Sequence, residues 1–301
     1  MSPDARRVLR GWTRLTRASP GIGFEISRGL ALASGSVHVL LGSRDEAKGR
    51  EAARRLRAEG GDVSFVPCDV ESDEGVARLA ALVDAKAAEL GVPGLSVLVN
   101  NAGMAFTMDD AGAAEAQKTL AVNVDGVERV TRALLPSLER AASAPSARAG
   151  SVRIVNVASQ LGALSQLSPA LQRRFSDAAA THESTDALLS EFVTAVRDGD
   201  YAKKGWPRSS THGVTMYAVS KVGTIAHTFV HARRLADRGI LVHAVCPGYC
   251  ATDLTNGKGT RSPAEGAETP VWLAVRDLPA DANVVRNATG GFWFDKRQIG
   301  W

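Results

Sequence analysis

The sequence predicts an α/β fold, a doubly wound parallel sheet with helices on both faces and a helical insertion late in the chain. Three observations predict it. Short apolar runs alternate with longer runs whose apolar residues recur at helical spacing, the pattern of successive βαβ units. Several short runs are apolar throughout, as strands covered on both faces must be. The 301 residues, 45 % of them hydrophobic, suit one large α/β domain, so 1–301 is read as a single unit with the insertion at 163–212.

Taken in order, the first strand is expected at Arg10 to Leu15, although two arginines are poor residues for a central buried strand. Val37 to Leu41 is the second strand and Glu46 to Ala58 the helix after it. Val63 to Val66 is the third, running into Cys68-Asp69-Val70. Ser72, a natural N-cap, opens a helix that runs to Leu90. Leu95 to Val99 is the fourth strand, and one helix is expected from Ala113 to Leu138. Ala141 to Gly150, rich in Ala, Ser, Pro and Gly, reads as a surface loop. Val152 to Val157, Ile240 to Val245 and Gly291 to Phe294 complete the strands. Met216 to Leu235, with Val219, Val222, Ile225, Ala226 and Phe229 at helical spacing, is a helix.

Charge and cysteine usage exclude several classes. The net charge of +4 is modest and comes partly from Arg6, Arg7, Arg10, Arg14 and Arg17, not from one basic stripe. With no recognised module and no interleaved aromatics, nucleic-acid binding is not expected. Cys68, Cys246 and Cys250 form no Cys-x-x-Cys pair, which argues against a disulfide framework and for a reducing compartment. No run reaches the 18 or so apolar residues of a membrane helix. The Arg-rich stretch from Arg6 to Arg17 has the character of a mitochondrial presequence but overlaps the first strand, so the cytoplasm is the expected location.

The chemistry concentrates on Tyr217 and Lys221. Four residues apart on a helix, they share a face, and a cation beside a phenol favours the phenolate and lowers its pKa from about 10. That makes the phenol usable as an acid–base group. The pair alone is a weak signal. His227 and His231 share the same helix, but two ligands without a further partner make no metal site, and none is expected.

Three further stretches strengthen the pair. Ile154-Val155-Asn156-Val157-Ala158-Ser159 is a buried strand ending on a serine. Val97-Leu98-Val99 runs into Asn100-Asn101-Ala102-Gly103, Asn123 lies in the next helix, and Cys246-Pro247-Gly248 follows the sixth strand. In this order the elements resemble the short-chain dehydrogenase/reductase family, from about Thr16 to the C-terminus. The resemblance implies a Rossmann-like fold and a catalytic set of Asn123, Ser159, Tyr217 and Lys221 around a nicotinamide cofactor. About forty extra residues separate Ser159 from Tyr217. They include Ser168-Pro169, an N-cap followed by proline, and an apolar stripe of Leu188, Leu189, Phe192, Val193 and Val196. This insertion, Gly205-Trp206-Pro207 and the stretch Ser262 to Pro270 resemble the monomeric carbonyl reductases of the family. A monomer is therefore expected, the insertion covering a helix face that tetrameric relatives use for association.

The resemblance also implies the cofactor contacts. The phosphate-binding turn corresponds to Thr16 through Gly23, where Ser19, Gly21, Ile22 and Gly23 fit and Arg17 replaces a glycine. Arg44 stands where NAD-preferring relatives carry a carboxylate, and a guanidinium suits a 2′-phosphate. Asp69 and Val70 fall at the adenine, Asn101, Ala102 and Gly103 along the adenosine, and Pro247, Gly248 and Thr252 against the nicotinamide, with Tyr217 and Lys221 beside them. NADPH is the expected cofactor. An aldehyde, ketone or quinone is the expected substrate, with Phe106 and the segment from Leu164 to Phe175 as pocket walls. Two alternatives stay open: a non-catalytic binding or scaffold relative, which Arg17 would favour, and an NAD-linked alcohol oxidase, if Arg44 is incidental.

Overall fold

A computed structural model describes residues 11–15, 21–33, 37–106, 111–178, 181–208, 212–278 and 287–301. Arg17 and Ser19 lie outside these residues. The strands β1 (Gly11–Leu15), β2 (Val39–Ser43), β3 (Val63–Pro67), β4 (Val97–Asn100), β5 (Val152–Val157), β6 (Ile240–Val245), β7 (Phe292–Phe294) and β8 (Arg297–Ile299) form one sheet. Their order is β3-β2-β1-β4-β5-β6-β7-β8, with every pairing parallel except β7 with β8. Despite Arg14, Gly11–Leu15 takes the central place, in register with β2 along its whole length and with β4 at Gly11 and Trp12. The last hairpin differs from expectation: the expected strand ends in a turn at Asp295 and Lys296, both at positive φ, and returns as β8. With only three residues, β8 is too short to show alternation in sequence.

Alternation along each strand sends side chains to two cores. On one face Val39, Leu41, Val97, Val99, Val155 and Val157 pack on α1 (Ile22–Ala31), α2 (Glu46–Ala58) and α9 (Pro263–Val275). On the other, Leu40, Leu98, Ile154 and Val242 pack on α3 (Asp73–Glu89) and α5 (Gly126–Ala142). Asp45 and Ser72 cap α2 and α3 by accepting from Lys48 N–H and Gly75 N–H.

The single helix expected over 113–138 is instead α4 (Ala113–Leu120), a π-helical turn at Ala121–Asp125, and α5. Asn123 is the middle residue of that turn and is completely buried. Apolar spacing does not reveal such a turn, because one wider turn shifts the buried face by only one residue.

The insertion consists of a short 3-10 turn (Leu164–Gln166), α6 (Pro169–Ala178) and α7 (His182–Arg197). Its apolar stripe packs against α4 and α8 (His212–Leu235), with Leu188, Leu189 and Phe192 meeting Met216, Val219 and Val222 in a third core. Trp206 fills the space between Phe175 and Phe192, with ring centroids 5.9 and 5.1 Å away. Each of these phenylalanines, fully buried, contributes about 1.5–3 kcal/mol. Gly205 makes the turn before Trp206 at φ +89°, where a Cβ would strike Ser168.

Candidate active site

The strand order reverses between β1 and β4, and in a parallel sheet ligands bind in the crevice beyond the carboxyl ends of the strands at that point. Helix α1 begins there. Its N-cap is Gly21, which offers no side-chain cap, whereas α2, α3, α7 and α9 each have one. Free N–H groups at a helix N-terminus suit a pyrophosphate, so Gly21, Ile22 and buried Gly23 fit a dinucleotide.

Ser159 ends the fifth strand's run and opens a 3-10 turn over Gln160–Gly162, its Oγ accepting from Leu161 N–H at 3.2 Å. That turn lies directly on α8. A Cβ on Gly162 would fall 2.6 Å from the Lys221 carbonyl carbon, so only glycine permits the approach. The contact brings Ser159 and Tyr217 side by side. Burial, with the neighbouring Cys246 adding to it, pushes the phenol above its ordinary range, and the nearby Ser159 hydroxyl opposes this. The direction is opposite to the depression expected from the Tyr–Lys spacing. The reason is geometric: Lys221 Nζ lies over the ring, 5.4 Å from its centroid, and donates to Val157 O at 2.9 Å. Lys221 is 3 % exposed, and burial pulls its pKa down to about 8. A Cβ on Gly103 would stand 3.6 Å from Nζ and 3.5 Å from Asn123 Oδ1, so the Asn-Asn-Ala-Gly turn closes the same space.

Asn123 binds this turn with its side chain. Oδ1 accepts from Met104 N–H, Nδ2 donates to Met104 O and to Ser220 Oγ, and its own carbonyl accepts from Thr224 Oγ1. Sequence reasoning missed a second polar set beneath it. Asn100 Nδ2 donates to Asn156 Oδ1 at 2.8 Å and to Thr131 Oγ1, and Asn156 Nδ2 donates to Thr228 Oγ1. These buried groups tie β4, β5 and α8 together where the site lies. The signal was an asparagine at the end of β4 and another within β5.

The remaining expected residues are spread along the crevice. Arg44, 67 % exposed in its side chain, donates to Glu71 Oε2 at 3.1 Å, and Lys118 holds the other oxygen of that carboxylate. Asp69 Oδ1 accepts from Glu71 N–H, and Val70 and Ala102 are buried while Asn101 is half-buried. Gly248 turns at φ +84° with a Cβ position 2.6 Å from Arg261 Cδ, next to Pro247. Thr252 N–H donates to Thr255 Oγ1. Phe106 is half-buried against the third core. The expected wall from Leu164 to Phe175 belongs to the insertion. Leu164, Leu167, Leu171 and Phe175 are buried in that core, because their spacing seats the insertion on α4 and α8. The three cysteines are buried and none is in a disulfide. Among the described residues no helix is long and apolar enough to cross a membrane.

A family model described as short chain dehydrogenase matches residues 13–170 and 207–262. The gap between the two segments holds most of α6 and all of α7. Carbonyl reductase (NADPH) 1 of Bos taurus is 38 % identical over 295 residues, covering 95 % of this chain and 97 % of the relative. The Oryctolagus cuniculus protein of that name is 38 % identical over 308 residues, covering 99 % and 100 %. Among solved structures, salutaridine reductase from Papaver somniferum superposes with a TM-score of 0.77 at 27 % identity, covering 95 % of this chain and 99 % of that one. The NADPH-bound carbonyl reductase from chicken fatty liver gives 0.68 at 19 %, covering 98 % and 95 %, a likeness of fold. With its sheet order, its matched motifs and these relatives, the chain belongs to the short chain dehydrogenase family.

Proposed function

We propose that this protein reduces aldehydes, ketones or quinones to alcohols with NADPH, using Ser159, Tyr217, Lys221 and Asn123. The observation that carries the reading is Ser159 placed beside Tyr217, with buried Lys221 against the phenol ring and bonded to Val157 O, beside the crevice that α1 enters. The relatives named carbonyl reductase (NADPH) 1 support the choice of cofactor and of carbonyl substrates. Gly21, Ile22 and Gly23 would hold the pyrophosphate, Arg44 the 2′-phosphate, Asp69 and Val70 the adenine, and Asn101 to Gly103 the adenosine. Pro247, Gly248 and Thr252 would lie against the nicotinamide. Bound NADPH supplies the hydride.

The chain's own residues handle the oxygen and the proton. Ser159 Oγ donates a hydrogen bond to the substrate oxygen as charge develops there. Tyr217, kept protonated at neutral pH by its buried surroundings, gives its proton to that oxygen, which as an alkoxide is the stronger base. The Lys221 ammonium stabilises the phenolate left behind. Asn123 is a positioning residue, since its polar atoms are all engaged in holding Met104, Ser220 and Thr224. The insertion lies over α4 and α8, which supports a monomer; light scattering giving a stable tetramer would remove that part of the reading.

NADPH fluorescence titration followed by turnover of an aromatic aldehyde and a quinone tests the proposal. Saturable binding with NADPH consumption and alcohol formation is expected. Absence of NADPH binding would favour the non-catalytic alternative, and binding without turnover of any carbonyl compound would remove the substrate class.

A further inference from the structure

Away from the Tyr217 site, three histidines and two carboxylates meet where α7, α8 and α5 join. His182 is the first residue of α7, His227 and His231 lie one turn apart on α8, Glu128 comes from α5, and Asp186 from α7. His182, His227 and His231 are 7 %, 3 % and 6 % exposed. The His182 ring lies 4.6 Å from that of His227 and 4.4 Å from that of His231. Glu128 Oε2 stands 2.6 Å from His231 Nε2 and 3.7 Å from His182 Nε2. All three atoms lie within 4.8 Å of one another.

One of these atoms is unsatisfied. His182 Nε2 is buried and has no hydrogen-bond partner, although it faces a carboxylate. An orphaned buried polar atom is costly, so its place beside a second imidazole and a carboxylate asks for an occupant. His227 is orphaned as well; its Nε2 is 3.0 Å from Asp186 Oδ1 without hydrogen-bond geometry.

We propose that Glu128 Oε2, His182 Nε2 and His231 Nε2 form a site for a first-row divalent cation, of which zinc fits best. Two imidazole nitrogens and one carboxylate oxygen are a known zinc donor set, with the fourth position left for water. Bonds of about 2.0–2.1 Å at tetrahedral angles place ligand atoms about 3.3 Å apart. The two separations from Glu128 bracket that value and the third lies within 4.8 Å, so closing the site takes side-chain rotation that draws the two imidazoles toward the carboxylate. Glu128 is partly exposed and provides an entry path. Sequence spacing pairs only His227 with His231; the fold brings Glu128 and His182 from distant elements to His231.

Arg234 sets a condition. Its Nη1 lies 3.4 Å from His182 Nδ1, the nitrogen that must carry the proton once Nε2 binds metal. Arg234 is exposed and must swing away, so it weakens the site by repulsion and by competing for Nδ1. Loading would clamp the start of the insertion to α8, the helix that carries Tyr217 and Lys221.

The test uses the intact protein, stripped with a chelator and titrated calorimetrically with Zn²⁺ alone. One equivalent should bind, and hydrogen exchange should slow at the N-terminus of α7. His182→Gln and Glu128→Gln should each weaken Zn²⁺ by at least about 100-fold, more than loss of an outer partner does. Arg234→Gln, an exposed change that supplies an acceptor for Nδ1–H, should tighten it. Co²⁺ in the wild-type chain should give the visible spectrum of a tetrahedral site, a readout that needs no variant. Absence of stoichiometric binding, or binding that the His182 and Glu128 variants leave unchanged, overturns the proposal.

Discussion

Asn123 grips both polar groups of one residue: its Oδ1 accepts from Met104 N–H at 2.8 Å and its Nδ2 donates to Met104 O at 2.9 Å. The Asn-Asn-Ala-Gly turn is thereby fastened to the π-helical turn between α4 and α5, next to Lys221. Asn123→Ala would leave buried backbone groups without partners, at about 1–3 kcal/mol for each group that water does not reach. Denaturant unfolding should show that loss, and turnover should fall with it. Unchanged stability would mean that the turn holds itself.

Arg44 and Glu71 set up a competition at the expected 2′-phosphate position. Arg44 and Lys118 both pair with the Glu71 carboxylate. Exposed pairs of this kind are worth about 0–1 kcal/mol. Glu71→Gln removes a repulsive charge and frees both cations, so NADPH should bind up to about fivefold tighter while NADH changes little. Arg44→Ala should weaken NADPH far more than NADH. Michaelis constants for both cofactors in both variants decide this, and equal changes would show that Arg44 does not read the phosphate.

Acid should destabilise the protein through His243. This residue of β6 is completely buried, its Nδ1 accepting from Trp293 Nε1 at 3.2 Å. Burial first, then the charges of Arg276 and Arg153, lowers its pKa to about 3. The unfolded value is about 6.5, so between pH 6.5 and 3 the unfolded chain binds a proton that the native chain refuses. Stability therefore falls as pH drops through that window, by at most about 1.4 kcal/mol per pH unit from this group. Urea unfolding between pH 7 and 5 should show the slope, and His243→Gln, which keeps an acceptor for Trp293, should flatten it. An unaltered slope would move the effect to other groups.

Much of the fold was legible because buried parallel strands are mostly apolar and their helices repeat at 3.6 residues. The Ser168-Pro169 start of α6 and the Leu188–Phe192 stripe of α7 could be read for the same reason. Other features depend on packing between distant segments. The Gly162 contact with Lys221, the place of Lys221 over the phenol ring, and the Asn100–Asn156–Thr228 chain join residues that sequence spacing does not relate. The raised phenol pKa follows from burial, whereas the Tyr–Lys spacing alone suggested the reverse. Gly11–Leu15 reads poorly as a strand, yet its position between β2 and β4 fixes it by pairing on both sides.

The central claim is that Tyr217 protonates the substrate oxygen while Ser159 holds it. Single-turnover oxidation of enzyme-bound NADPH by an aromatic aldehyde, compared between the wild type and Tyr217→Phe, tests it most directly. The account predicts a rate lower by about 10²–10⁴-fold, the usual share of a general acid, with NADPH affinity unchanged because the ring still packs against Lys221. A near-wild-type rate in Tyr217→Phe would contradict it.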